Sequence, residues 1–270
     1  MSWISTFVKS ILRDAPIVGY GPYLTYRFRS FRKDKTPISV EIAGQKILVR
    51  PATPDLRVAF QSLGKEFDGL KQLLPHDFDG LIIDAGGYIG TAALKLSAMY
   101  PQAQIVTIEP SEDNLAMLEQ NIAGKSKIHP VQAALTVKSG EKVSLFDRGH
   151  GDWGFSLALR EEDYQAKNLG TVSTITLEDI LARFPGKSIG LVKLDIEGGE
   201  RPIFQNHSSV LCSVPAVFVE LHDRVVPGCS DAFEAFNAGR WVVRAGGEKY
   251  LSLLGQSEAM TPIANFPEAG

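Results

Sequence analysis

Cysteine is nearly absent. The 270 residues contain two, Cys212 and Cys229, with no CxxC pair and no matching histidine spacing. That excludes a disulfide scaffold and a cysteine-ligated structural metal, and predicts two reduced thiols. Long apolar runs are missing too: nothing approaches the ~18 uninterrupted residues of a membrane-spanning helix. The first residues lack the basic start, apolar run and small-residue cleavage site of a secretory signal, so a cytoplasmic location is expected. Neither charge sign dominates. With 28 Lys and Arg against 31 Asp and Glu, the net charge is −3, which removes any global electrostatic reason to bind nucleic acid. Internal repeats and low-complexity linkers are also lacking. What is present is ordinary, 44% hydrophobic and 22% charged, the composition of a soluble domain with a core large enough to need no staple.

The first fifty residues read as an N-terminal extension (1–50) to a main domain (51–270). SWISTFVKSILR, residues 2–13, puts Trp3, Ile4, Phe7, Val8, Ile11 and Leu12 on one helical face. YRFRSFRKDK, residues 26–35, then interleaves basic and aromatic side chains. Two readings stand: a helix docked on its own domain with a solvated basic stretch, or peripheral membrane contact through residues 1–35. ISVEIAGQKILVR, residues 38–50, reads as a β-hairpin. Asp55 to Leu74 reads as helical with a break near Gly64.

From residue 81 strands and helices alternate. LIID, QIVTIE, KIHPVQAAL, EKVSLFD, GLVKLDIE and AVFVELH read as strands, and the start of TITLEDILARF as a strand end. Thr91–Met99, Glu112–Ile122 with Ser111 as N-cap, and FEAFNAG read as helices. WVVRAGGEKYLSLL reads as a closing hairpin. The pattern predicts an α/β fold with a mostly parallel central sheet and an antiparallel C-terminal edge hairpin.

LIIDAGGYIG, residues 81–90, is the first stretch that a core does not explain. An acid ends an apolar strand and three glycines follow within seven residues. Ligands of open α/β sheets bind at such strand ends. Gly86 and Gly87 allow close backbone approach, and Gly90 lets the next helix pack tightly. Glu109 ends the following strand, where an acid reaches ribose hydroxyls. A dinucleotide would want a G-x-G-x-x-G turn, but that frame reads A-G-G-Y-I-G here, and Asp84 beside a pyrophosphate would repel it. S-adenosylmethionine has no phosphate; a carboxylate facing the turn then becomes favourable, since it can organise the loop and attract the cationic methionine end. Gln132 and Ala133, after the third strand, lie where an adenine is expected.

VKLDIEGGE, residues 192–200, is the second such stretch. Asp195, Glu197 and Glu200 follow a buried strand and are costly unless solvated, paired or working. VELHD brings Glu220, His222 and Asp223 to the end of another strand. If the strands are neighbours, the two clusters form an acid/base or a divalent-metal site.

Together DAGGYIG, IEPSEDNLAMLEQNI, VKLDIEGGE and VELHD resemble the FkbM-type methyltransferases, over about residues 66–223. The resemblance implies a Rossmann-like class I fold using S-adenosylmethionine to O-methylate a hydroxyl of a sugar, glycan or polyketide-like product. It implies cofactor roles for Asp84, Gly86, Gly90 and Glu109 and a site role for Asp195 and Glu197. One departure is that Gly87 and Tyr88 replace the family's frequent Ala-Asn, and Tyr88 would narrow or stack near the cofactor entrance. The expected acceptor is a small molecule or glycan. His222 is expected as the base, then Asp195, with Asp195 also at the cofactor. Trp153, in the loop RGHGDWGFS, and Glu220 are expected at the acceptor. A divalent metal on Asp195, Glu197 and Asp223 is a further option without diagnostic spacing. Two rivals remain: an NAD(P)-dependent oxidoreductase and a non-catalytic Rossmann-like module.

Overall fold

The computed structural model describes residues 3–147, 155–156 and 166–255, with side chains for 11–147 and 166–255. The chain opens with helices α1 (Trp3–Val18) and α2 (Tyr20–Phe31) and the hairpin β1 (Ile38–Ile42)–β2 (Gln45–Val49). Helix α3 (Asp55–Leu63) follows, and a single 3-10 turn, Asp68–Leu70, replaces the rest of the helix expected to Leu74. Strand β3 (Leu81–Ala85), α4 (Thr91–Met99), β4 (Gln104–Ile108), α5 (Glu112–Asn121) and β5 (Ile128–Val131) come next. Then β6 (Ala134–Leu135), β7 (Lys142–Asp147), β8 (Phe155–Ser156) and β9 (Lys167–Ile175) lead to α6 (Leu177–Ala182). The last part is β10 (Ile189–Leu194), α7 (Glu200–Asn206), α8 (Ser209–Ser213), β11 (Ala216–Glu220), α9 (Cys229–Phe236), β12 (Arg240–Gly246) and β13 (Lys249–Leu254).

The central sheet has the order β12-β13-β11-β10-β3-β4-β5. Every pairing is parallel except the two made by β13. The closing hairpin is therefore present, but its second strand inserts between β11 and β12. The edge strand β12 runs with the others, and β13 alone runs against them. This is the mostly parallel Rossmann-like arrangement that the resemblance implied. The segments EKVSLFD and TVSTI, by contrast, leave the parallel series: β7 and β9 form a separate sheet of order β6-β9-β7-β8.

Every residue of β3 and of β10 is buried, as expected for central parallel strands covered on both faces. Alternation then splits their side chains between two cores. Ile82, Ile105, Leu191 and Phe218 face one core. Leu81, Ile83, Val106, Val192 and Val217 face the other.

The N-terminal segment belongs to the first of these cores. Ala15, Val18, Tyr23, Val40, Ile42, Ile47 and Val49 pack in it with α3, α4 and the sheet. Asn121, at the end of α5, stitches the hairpin down: its carbonyl accepts from the Leu48 amide at 2.7 Å and its amide donates to Leu48 O at 3.1 Å and Ile89 O at 2.9 Å. The boundary expected at residue 50 falls inside a buried ion pair. Arg50 donates Nε and Nη2 to the two Asp55 oxygens at 2.9 and 3.0 Å, and Nη2 also to Asn114 Oδ1 at 2.8 Å.

The basic stretch, residues 26–35, lies largely on α2, which docks through Tyr23. The outer face of the two helices stays exposed. Among the described residues, Leu12, Ile17, Tyr20, Leu24, Phe28 and Phe31 are six of the ten exposed large apolar residues. No helix among the described residues is long and apolar enough to cross a membrane.

Replacing Asp55 by Ala would leave the buried Arg50 guanidinium without its carboxylate. The expected loss is about 3–5 kcal/mol of unfolding free energy, the usual cost of breaking one side of a buried pair. Urea denaturation followed by tryptophan fluorescence measures it.

Candidate active site

A cleft of about 970 Å³, measured to its open mouth, lies at the carboxyl ends of β3, β4 and β10. It has the size of a small-molecule site. Its floor is the turn after β3. Gly86 has φ +83°, and a Cβ there would meet the Asp195 carbonyl oxygen at 1.9 Å. A Cβ on Gly87 would meet Thr107 Oγ1 at 2.3 Å. The glycines are thus required by the close approach of neighbouring chain, from β10 on one side and β4 on the other. Gly90 lies off the wall and lets α4 pack on α5, where a Cβ would press Leu118 and Ile122 at 3.2 Å.

Glu109 lies on the wall at the end of β4. One carboxylate oxygen accepts from the Tyr88 amide at 2.8 Å and the other from the Ser111 amide at 2.9 Å. Burial raises this carboxyl to about 7, against the lowering pull of those two amides and of Asn114 and Lys193. Tyr88 sits at φ +48°, a strained angle for a residue with a side chain. Its ring lines the cleft and its hydroxyl donates to Asp55. The Arg50 guanidinium lies 5.7 Å from the ring centre. Tyr88 therefore ties the turn to the N-terminal segment.

Asp84 lies beneath the turn. It is wholly buried, accepts from Thr107 Oγ1 at 3.0 Å, and pairs with Lys193 Nζ at 3.0 Å. Its carboxylate does not line the cleft, which corrects the expectation of direct attraction to a cationic ligand: β3 and β10 set Asp84 opposite Lys193 in register, so its charge is spent on the lysine. Lys193 also donates to Gly86 O at 2.9 Å and lies 3.8 Å from Asp195. Burial lowers its pKa, and the surrounding carboxylates more than reverse that, holding it above the ordinary lysine range.

Asp195 and Glu197 are both on the cleft wall, as the VKLDIEGGE reading expected. Asp195 is the more accessible, with a side chain 37% exposed against 5% for Glu197. Burial works against an ionised Asp195, but Lys193, His222, Lys249 and Arg224 together lower its pKa. Glu197 is raised, mainly by burial. Glu200 organises the loop: one oxygen accepts from the Ile196 amide and from His222 Nδ1, at 2.9 and 2.8 Å, and the other from the Gly198 amide at 2.9 Å.

His222 is brought to this cluster but not to the cleft. It is fully buried and absent from the wall. Burial lowers its pKa, but the bond to Glu200 and the charges of Glu200, Asp195 and Glu197 outweigh it and push it to about 9. An imidazole that already holds its proton at neutral pH, and does not reach the cavity, is not the general base expected for it. Glu220 stands beside the cluster rather than on the wall, 3.4 Å from Lys249 Nζ. Asp223 turns away, accepting from Gly228 and Ser230 amides at the start of α9. It leaves the expected metal set for that reason. Instead Asp195, Glu220 and His222 place ligand atoms within 4.8 Å of one another. Ala133 lines the cleft, whereas Gln132 is exposed and does not. Trp153 lies outside the described residues.

Residue spacing pointed to none of Arg50, Asp55, Ser62, Glu66 or Phe67, yet the last three line the cleft. They come from α3 and its following turn, before the strand–turn–helix pattern begins. Only their helical periodicity was readable, and that signals core.

Residues 84–236, more than half of the chain, match the family model described as Methyltransferase FkbM domain. Methyltransferase 1 of Beauveria bassiana is 25% identical over 177 residues, covering 57% of this chain and 70% of that one. The 2-O-methyltransferase NoeI of Sinorhizobium fredii is 23% identical over 157 residues, 54% of this chain and 65% of that one. The hexuronic acid methyltransferase AglP of Haloferax volcanii is 24% identical over 195 residues, 72% and 77%.

The raised Glu109 carboxyl has a signature in stability. Its folded pKa of about 7 exceeds the unfolded value of ~4.3, so the folded state holds the proton more tightly. Stability from this group is present below the unfolded pKa and is lost as pH rises towards 7. Glu109→Gln should therefore flatten the urea-midpoint profile between about pH 4 and 7 relative to the parent. Superposable profiles would contradict the raised value.

Proposed function

The chain belongs to the FkbM methyltransferase family, and within it we propose that it transfers a methyl group from S-adenosylmethionine to a hydroxyl of a sugar or sugar-like acceptor. The observation that carries the reading is the charge of the cleft wall. Among the described residues, four acidic side chains, Glu66, Glu109, Asp195 and Glu197, line it, Asp195 held ionised, together with one ammonium, Lys193, already committed to Asp84. A pyrophosphate would be repelled there; a ligand with sulfonium and ammonium charges and a ribose is favoured. This argues against a nicotinamide dinucleotide. Transfer to oxygen is supported by the similarity to the 2-O-methyltransferase NoeI, and a carbohydrate acceptor by the similarity to the hexuronic acid methyltransferase AglP.

Glu109, with both oxygens already oriented by amides, is assigned to the ribose hydroxyls. Gly86, Gly87 and Tyr88 offer backbone to the methionine end, and Ala133 packs on the adenine. S-adenosylmethionine, when bound, supplies an electrophilic methyl on a sulfonium that becomes neutral as the methyl leaves. The acceptor hydroxyl is assigned to the space beside Asp195 and Glu197, where a carboxylate takes its proton as oxygen bonds to carbon and sulfur keeps the electron pair. Holding oxygen and methyl carbon about 3 Å apart and in line supplies much of the rate. His222 and Glu200 act behind these acids as positioning residues.

Titration calorimetry with S-adenosylhomocysteine, with NAD and NADP in parallel, tests the cofactor assignment. S-adenosylhomocysteine alone should bind, and Glu109→Ala should weaken it by about 1–3 kcal/mol, the cost of losing charged hydrogen bonds. Asp195→Asn should lower kcat on a uronic-acid glycoside more than it weakens the cofactor. Binding of a nicotinamide cofactor, or of none, would overturn the reading.

A further inference from the structure

We propose that Asp195, Glu220 and His222 form a divalent-cation site behind the cleft wall, reached from the cleft through Asp195, with Glu200 as its supporting residue. Ligand atoms of the three lie within 4.8 Å of one another. An ion ~2.2 Å from each brings such atoms to within about 4.4 Å, so little closure is needed. His222 Nε2 supplies an independent indication. It is fully buried, has no hydrogen-bond partner, and points between Asp195 Oδ1 at 3.7 Å and Glu197 Oε1 at 3.5 Å. The other ring nitrogen is held by Glu200 at 2.8 Å, so an ion that displaces the Nε2 proton meets a lone pair aimed at the acids. A carboxylate behind the imidazole is the usual support of a metal-bound histidine. The charge count agrees: among the described residues, seven carboxylates (Asp84, Asp195, Glu197, Glu200, Glu220, Glu66 and Glu248) meet three permanent cations, Lys193, Lys249 and Arg224, and His222. Two carboxylates and one imidazole suit Mn2+ or Mg2+ with water completing the shell.

Binding of the ion stands apart from the methyl-transfer reading; its role rests on that reading. There the ion would bind the acceptor oxygen and ease loss of its proton, leaving Glu197 on the wall to receive it. The test uses the full chain after chelation and desalting. Mn2+ is titrated under electron paramagnetic resonance, with S-adenosylhomocysteine calorimetry on the same samples. One Mn2+ per chain should bind. His222→Gln and Glu220→Gln should weaken it at least tenfold, and Glu200→Gln by about 10–100-fold, the usual effect of losing a supporting partner. Thermal melts identify any variant that fails to fold, and each of the three reports separately. No Mn2+ or Mg2+ binding to the parent, or equal affinity in every folded variant, would overturn the site. Failure of S-adenosylhomocysteine to bind while Mn2+ does would remove the methyl-transfer reading and leave the ion site standing.

The outer face of α2 fits a different partner, and we infer that it docks on an anionic lipid bilayer. Tyr20, Leu24, Phe28 and Phe31 recur at helical spacing and are 53–84% exposed, while Tyr23 anchors the opposite side at 1%. Residues 20–35 carry Arg27, Arg29, Arg32, Lys33 and Lys35 against one acid, Asp34, in a chain whose net charge is −3. Aromatic and apolar side chains edged with arginine and lysine match the interface of an anionic leaflet. A second copy of the chain would place this basic patch against itself.

Cosedimentation with phosphatidylcholine vesicles, with and without phosphatidylserine, tests this. The full chain should bind only the anionic vesicles, and less tightly as salt rises. Leu24→Ser with Phe28→Ser and Phe31→Ser should cut binding at least tenfold. No binding, or binding unchanged by the triple variant, would overturn the inference. So would sedimentation equilibrium showing a dimer that the triple variant abolishes.

Discussion

One buried ion pair holds the centre of the molecule. Lys193 and Asp84 sit opposite each other on adjacent, fully buried strands. Burying either charge alone would be strongly unfavourable; together they can occupy the middle of a sheet. The lysine has donors to spare. Besides Asp84 it reaches the Gly86 carbonyl and lies near Asp195. The same ammonium therefore fixes the glycine turn and biases the acid that faces the cleft. The two segments whose chemistry looked separate in the sequence are two sides of this contact.

The electrostatics of the cleft follow from that arrangement. Among the described residues, with Lys193 engaged below, the wall has little positive charge to offer, and carboxyl groups from three segments, the turn after α3 and the ends of β4 and β10, converge on it. Their environments differ. Asp195 is surrounded by four cations and stays low, whereas Glu109, Glu197 and Glu220 are raised chiefly by burial. Acids of one type thus sit in different settings: an ionised wall group, a wall carboxyl oriented by two amides, and buried members of a cluster around an imidazole.

Much of this could be read from the chain alone. Glycines after an apolar strand, and an acid at the end of the next, are local signals, and the parallel strands follow from their all-apolar composition. The acids of VKLDIEGGE declared themselves because a buried strand has little reason to end in three carboxylates. Direction was harder. Nothing in the letters says that Asp84 points under the turn, that Asp223 bends back to cap α9, or that His222 is sealed off by Glu200. Those depend on which neighbouring strand or helix offers a partner. The insertion of β13 between β11 and β12 and the separate β7–β9 sheet were hidden because hairpin periodicity does not say where a hairpin docks. Arg50 and Asp55 were missed because their pairing partners, Tyr88 and Asn114, lie far along the chain.

The last of these contacts bears on how the enzyme can change. Tyr88 stands in the glycine turn, yet its hydroxyl is held by Asp55, which in turn holds Arg50, which reaches Asn114 on α5. Four residues from three distant stretches of sequence form one interlocked unit. A chimera joined near residue 50 would import an N-terminal segment cut from its counterparts, and a swapped glycine turn would arrive with the wrong partner for Asp55. Diversification of the first fifty residues is therefore coupled to the turn. Lineages that alter one should alter the others together, or else abandon the tyrosine altogether.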